Sequence, residues 1–433
     1  MKSYLIVLIS CFLVLIMNRF FLKNKYKYIN IILIMLGICS NISIYMNSSQ
    51  LIIEEVSYVY IPLVFFIMIT IVISISNIQS FKLTFDELIL LIILANTLIY
   101  WTKEQIYDVA KFLNIFIMYF SIYLISKTYK SLRYIDFDNI RNFINYISIF
   151  NGSLSIVQYI TGKKLLPGMF SQSIYYGNGS NIVKRIVGFA GTNNSGGNFS
   201  AILFSIVFFN YIKNRKKIDL IALIFTVIFS ILTLTRIGYL TIFIELLVYL
   251  LFTKWNTIKY ILKKVRILII SIFISLLVII SFGQQIYNIL FIKRGNTSMW
   301  RDIQFNNIFE KIIPNNTFFI GIGPGQYKYY AYYNLGYKDI DIHSQYINIL
   351  AEQGVFIFIL FLILNIFLLL KALKCVEENI EKSFVIGLFL ANFVCCNYNP
   401  NQYYLINNIF YYLLIYLIIY KNKNIQLKNC CLN

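Results

Sequence analysis

A single histidine, His343, serves a chain of 433 residues, and only 18 acidic side chains stand against 38 lysines and arginines. No Gly-Lys-Ser/Thr follows the one glycine-rich stretch, which excludes a phosphate-cradling nucleotide loop. The seven cysteines are Cys11, Cys39, Cys375, Cys395, Cys396, Cys430 and Cys431. They contain no paired Cys-x-x-C motifs, so a zinc site is not indicated and free thiols are expected. No cluster of Asp, Glu and His suggests a divalent metal either. The formal charge of +20 is spread over many short loops instead of one stripe, which argues against a nucleic-acid partner. Period-2 alternation of the kind a membrane barrel needs is absent. So are solenoid repeats and a second soluble domain.

What is present is apolar. The chain is 59% hydrophobic, 18% aromatic and 13% charged. Its apolar runs are about 16 to 22 residues long, close to a bilayer span at a rise of about 1.5 Å per residue. The expected fold is all-α: a single integral membrane domain, 1–433, with about 12 to 13 transmembrane helices and a large extracytoplasmic loop at 284–345. The lipid bilayer is thus its first partner. Spans are predicted at 3–22, 29–46, 56–77, 87–101, 109–126, 142–160, 197–212, 218–235, 237–253, 267–283, 346–370, 383–398 and 403–420. The first lacks an A-x-A-like cleavage site and its basic residues follow it, which fits a retained helix better than a signal peptide. Asn142, Asn145, Asn151, Gly152 and Gln158 make the sixth span polar, so it should face other helices or a cavity and not lipid.

Lysine and arginine mark alternate loops. Arg19, Lys23, Lys25 and Lys27 lie on one side with Lys82, with Lys127, Lys130, Arg133 and Arg141, and with Lys213, Arg215, Lys216 and Lys217. Lys254 to Arg266, Lys371 to Lys382 and Lys421 to Lys428 continue the set. The excess assigns these loops to the cytoplasm and turns 161–196 and 284–345 outward.

The outward segments carry the candidate chemistry. Arg185 opens Arg185-Ile186-Val187-Gly188, and the run Gly191-Thr192-Asn193-Asn194-Ser195-Gly196-Gly197 leads into a helix. Arg236 sits in Thr233-Leu234-Thr235-Arg236, where two spans meet with almost no loop. Such an arginine either grips phosphate oxygens in pairs at the membrane boundary or snorkels to close a hairpin. Arg294 and Arg301, the latter after Trp300, open the large loop. Gly321-Ile322-Gly323-Pro324-Gly325 either brings backbone amides to a ligand or makes a sharp turn. His343 precedes Ser344 at the mouth of a helix containing Glu352 and Gly354. It reads as a general base or as a solvated loop histidine. Tyr327, Tyr329, Tyr330, Tyr332, Tyr333 and Tyr337 suit sugar stacking or an interfacial belt. Asn397, Asn399, Asn401 and Gln402 offer hydrogen bonds to hydroxyls.

This order of motifs resembles the O-antigen ligase/Wzy-type polysaccharide polymerase superfamily. The resemblance covers about residues 180–360 at motif level and rests on order, since each motif is loose by itself. One departure is His343-Ser344 where the family usually has His-Asn. The resemblance implies a metal-independent glycosyltransferase that uses no cofactor and moves a glycan from a polyprenyl-diphosphate carrier onto a glycan acceptor. It implies a multi-pass protein of the bacterial cytoplasmic membrane with its active site outward, working beside flippase and chain-length regulator proteins. In that reading Arg185, Arg236 and Arg301, helped by Arg294, hold the diphosphate, Gly321, Gly323 and Gly325 shape the loop, and His343 activates the acceptor hydroxyl. Two competing readings are an O-antigen-type ligase with a terminal acceptor and a flippase or transporter for lipid-linked sugars. For transport, Glu245 is almost the only deep carboxylate, about 14 Å below Arg236 along a helix.

Overall fold

From residue 83 on, the apolar runs among the described residues are helices in the computed structural model, which describes residues 43–47, 58–62, 83–103, 106–131, 137–165, 174–176, 182–252, 298–315, 320–336 and 341–421, with 284 and 288. The helices are α1 (Phe85–Lys103), α2 (Val109–Ser131), α3 (Phe137–Thr161), α4 (Asn193–Asn214), α5 (Lys217–Thr233) and α6 (Arg236–Phe252). They continue as α7 (Ser298–Asn307), α8 (Tyr327–Leu335), α9 (Gln345–Lys374), α10 (Asn379–Tyr398) and α11 (Leu405–Tyr420). Nine of the expected spans coincide with a helix to within about a turn. Lys111–Lys130 within α2, and α4, α9 and α10, are long and apolar enough to cross a membrane. The fold is that of a helical membrane protein. The spans predicted at 3–22 and 267–283 lie outside the described residues, as do Cys11, Cys39, Cys430 and Cys431.

Two local features add to the sequence reading. Two short strand pairs accompany the helices. β1 (Ser43–Asn47) pairs antiparallel with β2 (Tyr58–Pro62), Ser43 opposite Pro62 and Asn47 opposite Tyr58, inside segments predicted as spans. Isoleucine and tyrosine stand in both strands, with valine in β2, and favour extended backbone. A second pair joins β3 (Tyr175–Tyr176) to β4 (Val183–Lys184). The polar segment 284–345 carries short helices where it is described. It holds α7, a π-helical turn at Ile308–Ile312, a 3-10 turn at Ile313–Asn315, and α8.

α11 runs through the centre. Every side chain from Leu405 to Ile419 is buried, and the helix packs on α2, α4 and α9. Its polar groups are tied across the core: the Tyr412 hydroxyl donates to Asn365 at 3.1 Å and that of Tyr416 to Asp86 at 2.8 Å. The polar face of α3 points inward, as expected. Asn145 donates to Asp219 at 2.6 Å. Gln158 brackets the backbone of Gly188, accepting from its N–H at 2.9 Å and donating to its carbonyl at 3.4 Å, while Asn151 accepts from Phe189 N–H at 2.8 Å.

The bundle has two chemically distinct ends. At one end the topology-marking bases meet acids: Lys371 with Asp86 at 3.2 Å, Lys130 with Glu87 at 2.9 Å and Lys213 with Glu381 at 2.8 Å, and Lys421 also pairs with Glu381. The opposite end gathers the α5–α6 turn and the first residues of α2, α4, α9 and α11. There α4 and α6 cross on small residues: a Cβ on Gly238 would stand 2.8 Å from the Gly197 carbonyl oxygen. Close backbone approach of this kind is how helices lock together where lipid removes the hydrophobic drive.

Candidate active site

The turn between α5 and α6 is built to hold Arg236 still. Leu234 adopts φ +50°, a left-handed conformation costly for a branched side chain. What compensates is the surrounding bonding. The Thr235 hydroxyl donates to the Asn193 carbonyl at 3.0 Å, and Arg185 clamps both threonines. Its Nε donates to the Thr233 carbonyl at 3.1 Å, and its Nη2 donates to Thr235 Oγ1 at 3.1 Å and Asn194 Oδ1 at 3.2 Å. Arg185 is 3% exposed. Two nitrogens of its guanidinium are thus bonded to the hairpin and to the turn before α4. The turn leading into α4 is capped by Thr192, which accepts from Ser195 N–H at 3.3 Å. The N-termini of α4 and α6 therefore lie side by side, and both present the positive end of a helix dipole.

Arg236 is the first residue of α6 and half-buried. Arg301 reaches the same corner from α7. Burial first, and then the charge of Arg236, hold the Arg301 guanidinium below the ordinary arginine value. Its Nε is buried without a hydrogen-bond partner. Two like charges held together at helix N-termini are unfavourable without an anion between them. Arg294 lies outside the described residues.

The glycine stretch backs onto a break in α9. Gly354 has φ +88° and ψ +169°, interrupting the helix and releasing carbonyls of the preceding turn. Ile322 N–H donates to the Ala351 carbonyl at 3.1 Å and Gly323 N–H to that of Glu352 at 2.8 Å. The Glu352 carboxylate accepts from Gly325 N–H at 2.7 Å and from Tyr327 N–H at 3.1 Å, at the start of α8. A side chain on Gly321 would strike the Ala351 carbonyl and one on Gly323 the ring of Tyr100. The stretch makes a sharp turn, and the amides of Ile322, Gly323 and Gly325 bond to α9.

His343 sits half-buried just before α9. Its Nδ1 is 2.8 Å from the carbonyl oxygen of Asp341, and its N–H donates to Gln304 Oε1 at 3.3 Å. Gln304 lies three residues beyond Arg301, so both are on one face of α7. Helix α7 thereby links the arginine corner to the histidine. Tyr404 closes the circuit from the other side: its hydroxyl reaches Thr192 and Asn194, and it lies within the field of both Arg185 and Asp341.

With this geometry in view, the family comparison is decisive over one segment. A family model described as O-antigen ligase matches residues 220–362. The chain resembles the O-antigen ligase/Wzy-type superfamily. Among curated proteins none matches it. The O-antigen ligase match takes in Arg236, Arg301, Gln304, Gly321 to Gly325, His343, Glu352 and Gly354, and leaves Arg185, Lys111 and Tyr404 outside it.

Several residues here were not singled out by the sequence. Gln304 had a usable signal, its helical spacing from Arg301, once α7 is read as a helix. Asp341, two residues from His343, had proximity alone. Lys111 and Tyr404 had none, because the contacts that bring them here, Lys111 to Asp341 and Tyr404 to Thr192 and Asn194, join segments more than 200 residues apart. Ser344 is the N-cap of α9, accepting from Ile347 N–H at 3.3 Å. Serine and asparagine cap helices about equally well, which accounts for His343-Ser344 where the family usually has His-Asn. Of the outer-turn amides, Asn399, Asn401 and Gln402 are buried: Asn399 donates to Asn198 at 2.8 Å, and Asn401 accepts from Asn407 at 2.9 Å. Of the tyrosines, Tyr327 and Tyr329 are buried, while Tyr107 packs on Tyr329 and Tyr333 with centroids 5.7 and 5.4 Å apart. Tyr337 lies outside the described residues.

Proposed function

We propose that this protein is a metal-independent glycosyltransferase of the bacterial cytoplasmic membrane. It polymerises polyprenyl-diphosphate-linked oligosaccharide repeat units into a surface polysaccharide, O-antigen or capsule, on the outer face. The observation that carries this reading is the convergence of Arg236 and Arg301 from separate helices in one half-buried corner, joined through Gln304 to the chain's one histidine.

The chemistry follows from those groups. The sugar–diphosphate bond already stores the energy for transfer, so the enzyme has two tasks. Arg236 and Arg301 stabilise negative charge on the departing polyprenyl diphosphate, the electrostatic work a divalent ion does elsewhere. His343 takes the proton of the acceptor hydroxyl as its oxygen bonds the anomeric carbon. The carbon–oxygen bond to the diphosphate breaks, and the bond electrons leave with the phosphate. Because the Asp341 carbonyl can only accept, Nδ1 of His343 carries the proton in that bond and Nε2 of the neutral ring carries the lone pair. Arg185 acts through the hairpin, fixing where Arg236 points. Arg294 remains a proposed helper.

The matched family's description favours a second reading, an O-antigen ligase, which differs only in its acceptor. Membranes supplied with a lipid-linked repeat unit separate the two. A ladder of lengthening carrier-linked chains is expected. Transfer only to a terminal acceptor would make the protein a ligase, and release of no polyprenyl diphosphate would overturn both.

A further inference from the structure

We infer that Lys111 and Asp341 are positioning residues that fix the ring of His343 for the acceptor step. The inference rests on the proposed function and extends it to a segment beyond the family match. Lys111 lies in the first turn of α2. Its Nζ is 2.7 Å from Asp341 Oδ1 and 3.4 Å from Asp108 Oδ2, and 5.6 Å from the centre of the Tyr403 ring. The two side chains of the central pair are only 16% and 27% exposed, so water competes weakly for this charge-assisted bond.

The lysine is itself anchored. Its N–H donates to Asp108 Oδ1 at 3.0 Å. Its Cβ backs the glycine turn so closely that a Cβ on Gly325 would come within 2.7 Å of it. Lys111 thus belongs to a fixed corner of α2 and cannot follow a moving loop. Asp341 is fixed in turn. Burial by itself would raise its pKa, yet Lys111, Lys328 and His343 together hold it below the ordinary aspartate value, so it is charged at neutral pH. With its side chain pinned, its backbone carbonyl has a set direction, 2.8 Å from Nδ1 of His343. That contact selects the tautomer with the lone pair on Nε2, and Gln304 holds the adjoining backbone. The line from Lys111 through Asp341 to His343 connects two segments 230 residues apart.

A simple staple between α2 and the loop would share this geometry, so the test must read through His343. Turnover of polyprenyl-diphosphate-linked oligosaccharide in membranes is measured for Lys111→Met, Lys111→Arg, His343→Ala and the double variant Lys111→Met/His343→Ala. Lys111→Met is expected to lower kcat about ten- to hundredfold, the scale of a small misplacement of a reacting group, with donor KM within about twofold. Lys111→Arg keeps the pairing and should recover most of the rate. The double variant should be no slower than His343→Ala, because a residue acting through another adds nothing once that other is gone. Should Lys111→Met not insert correctly, Asp341→Asn, which keeps the shape and drops the charge, takes its place in the same cycle. An unchanged kcat, an additive loss in the double variant, or a rise in donor KM without rescue by arginine overturns the positioning role and leaves His343 as the base. A near-normal His343→Ala instead overturns the reading of the site, and the positioning role falls with it.

Discussion

Arg236 and Arg301 bring like charge into one half-buried corner, and each is held there by different means: Arg236 by the α5–α6 turn, Arg301 by helix α7. Their value to an anion lies in geometry as much as charge. A guanidinium presents parallel N–H donors to two oxygens, whereas an ammonium is a point charge. Arg236→Lys is therefore expected to keep donor attraction and lose turnover, and Arg236→Ala to lose about a hundred- to a thousandfold, as when a preorganised donor is removed from a transition state. Turnover in membranes at matched expression checks this, and a fully active lysine variant removes Arg236 from the chemistry. The residue types were legible in the sequence: arginines at outward turns and a lone histidine before a helix. Their roles were only partly so. For Arg185 the sequence offered a phosphate ligand but not the bonds to Thr233, Thr235 and Asn194 that also hold it beneath the hairpin. Lys111 was silent because one lysine at the end of an apolar run reads as a span boundary.

At the scale of elements, the helices follow directly from apolar run length, and even the inward face of α3 could be read from its asparagines. The short pieces could not. The strand pairs are five and two residues long, too brief for periodicity to speak, and α7 and α8 lie in a segment whose polarity reads as loop. The break at Gly354 was hidden for another reason. A glycine within an apolar helix is common, and only the acceptors it frees, Ala351 and Glu352, reveal that it makes a socket for the glycine turn. The start of α9 offers a sharp test of the local account. Ser344→Asn should retain activity and stability, because asparagine caps as serine does, while Ser344→Ala should cost about 1 kcal/mol and slow turnover by loosening the segment that carries His343. Thermal unfolding in detergent beside membrane activity reads both. Equal behaviour of the two variants would show that capping is not what residue 344 contributes.

The whole molecule separates its work between two ends. One is closed by acid–base pairs such as Lys371–Asp86 and Lys213–Glu381, and the other assembles helix N-termini, arginines and His343. The proposed topology, read from the basic loops, puts the first end in the cytoplasm. A cysteine at the exposed position of Asn334 is therefore expected to react with a membrane-impermeant thiol reagent added to intact cells, and one at exposed Arg215 is not. The reverse pattern would turn the site inward and exclude an extracytoplasmic transfer. The central claim is narrower still: the arginine corner binds the donor and His343 drives the acceptor step. It is tested most directly by comparing His343→Ala with the unaltered protein in the same membranes, measuring both retention of lipid-linked repeat unit and formation of longer chains. The expected result is normal insertion, donor retention close to that of the unaltered protein, and chain formation reduced by about a hundred- to ten-thousandfold. Near-normal chain formation by the alanine variant would contradict the account.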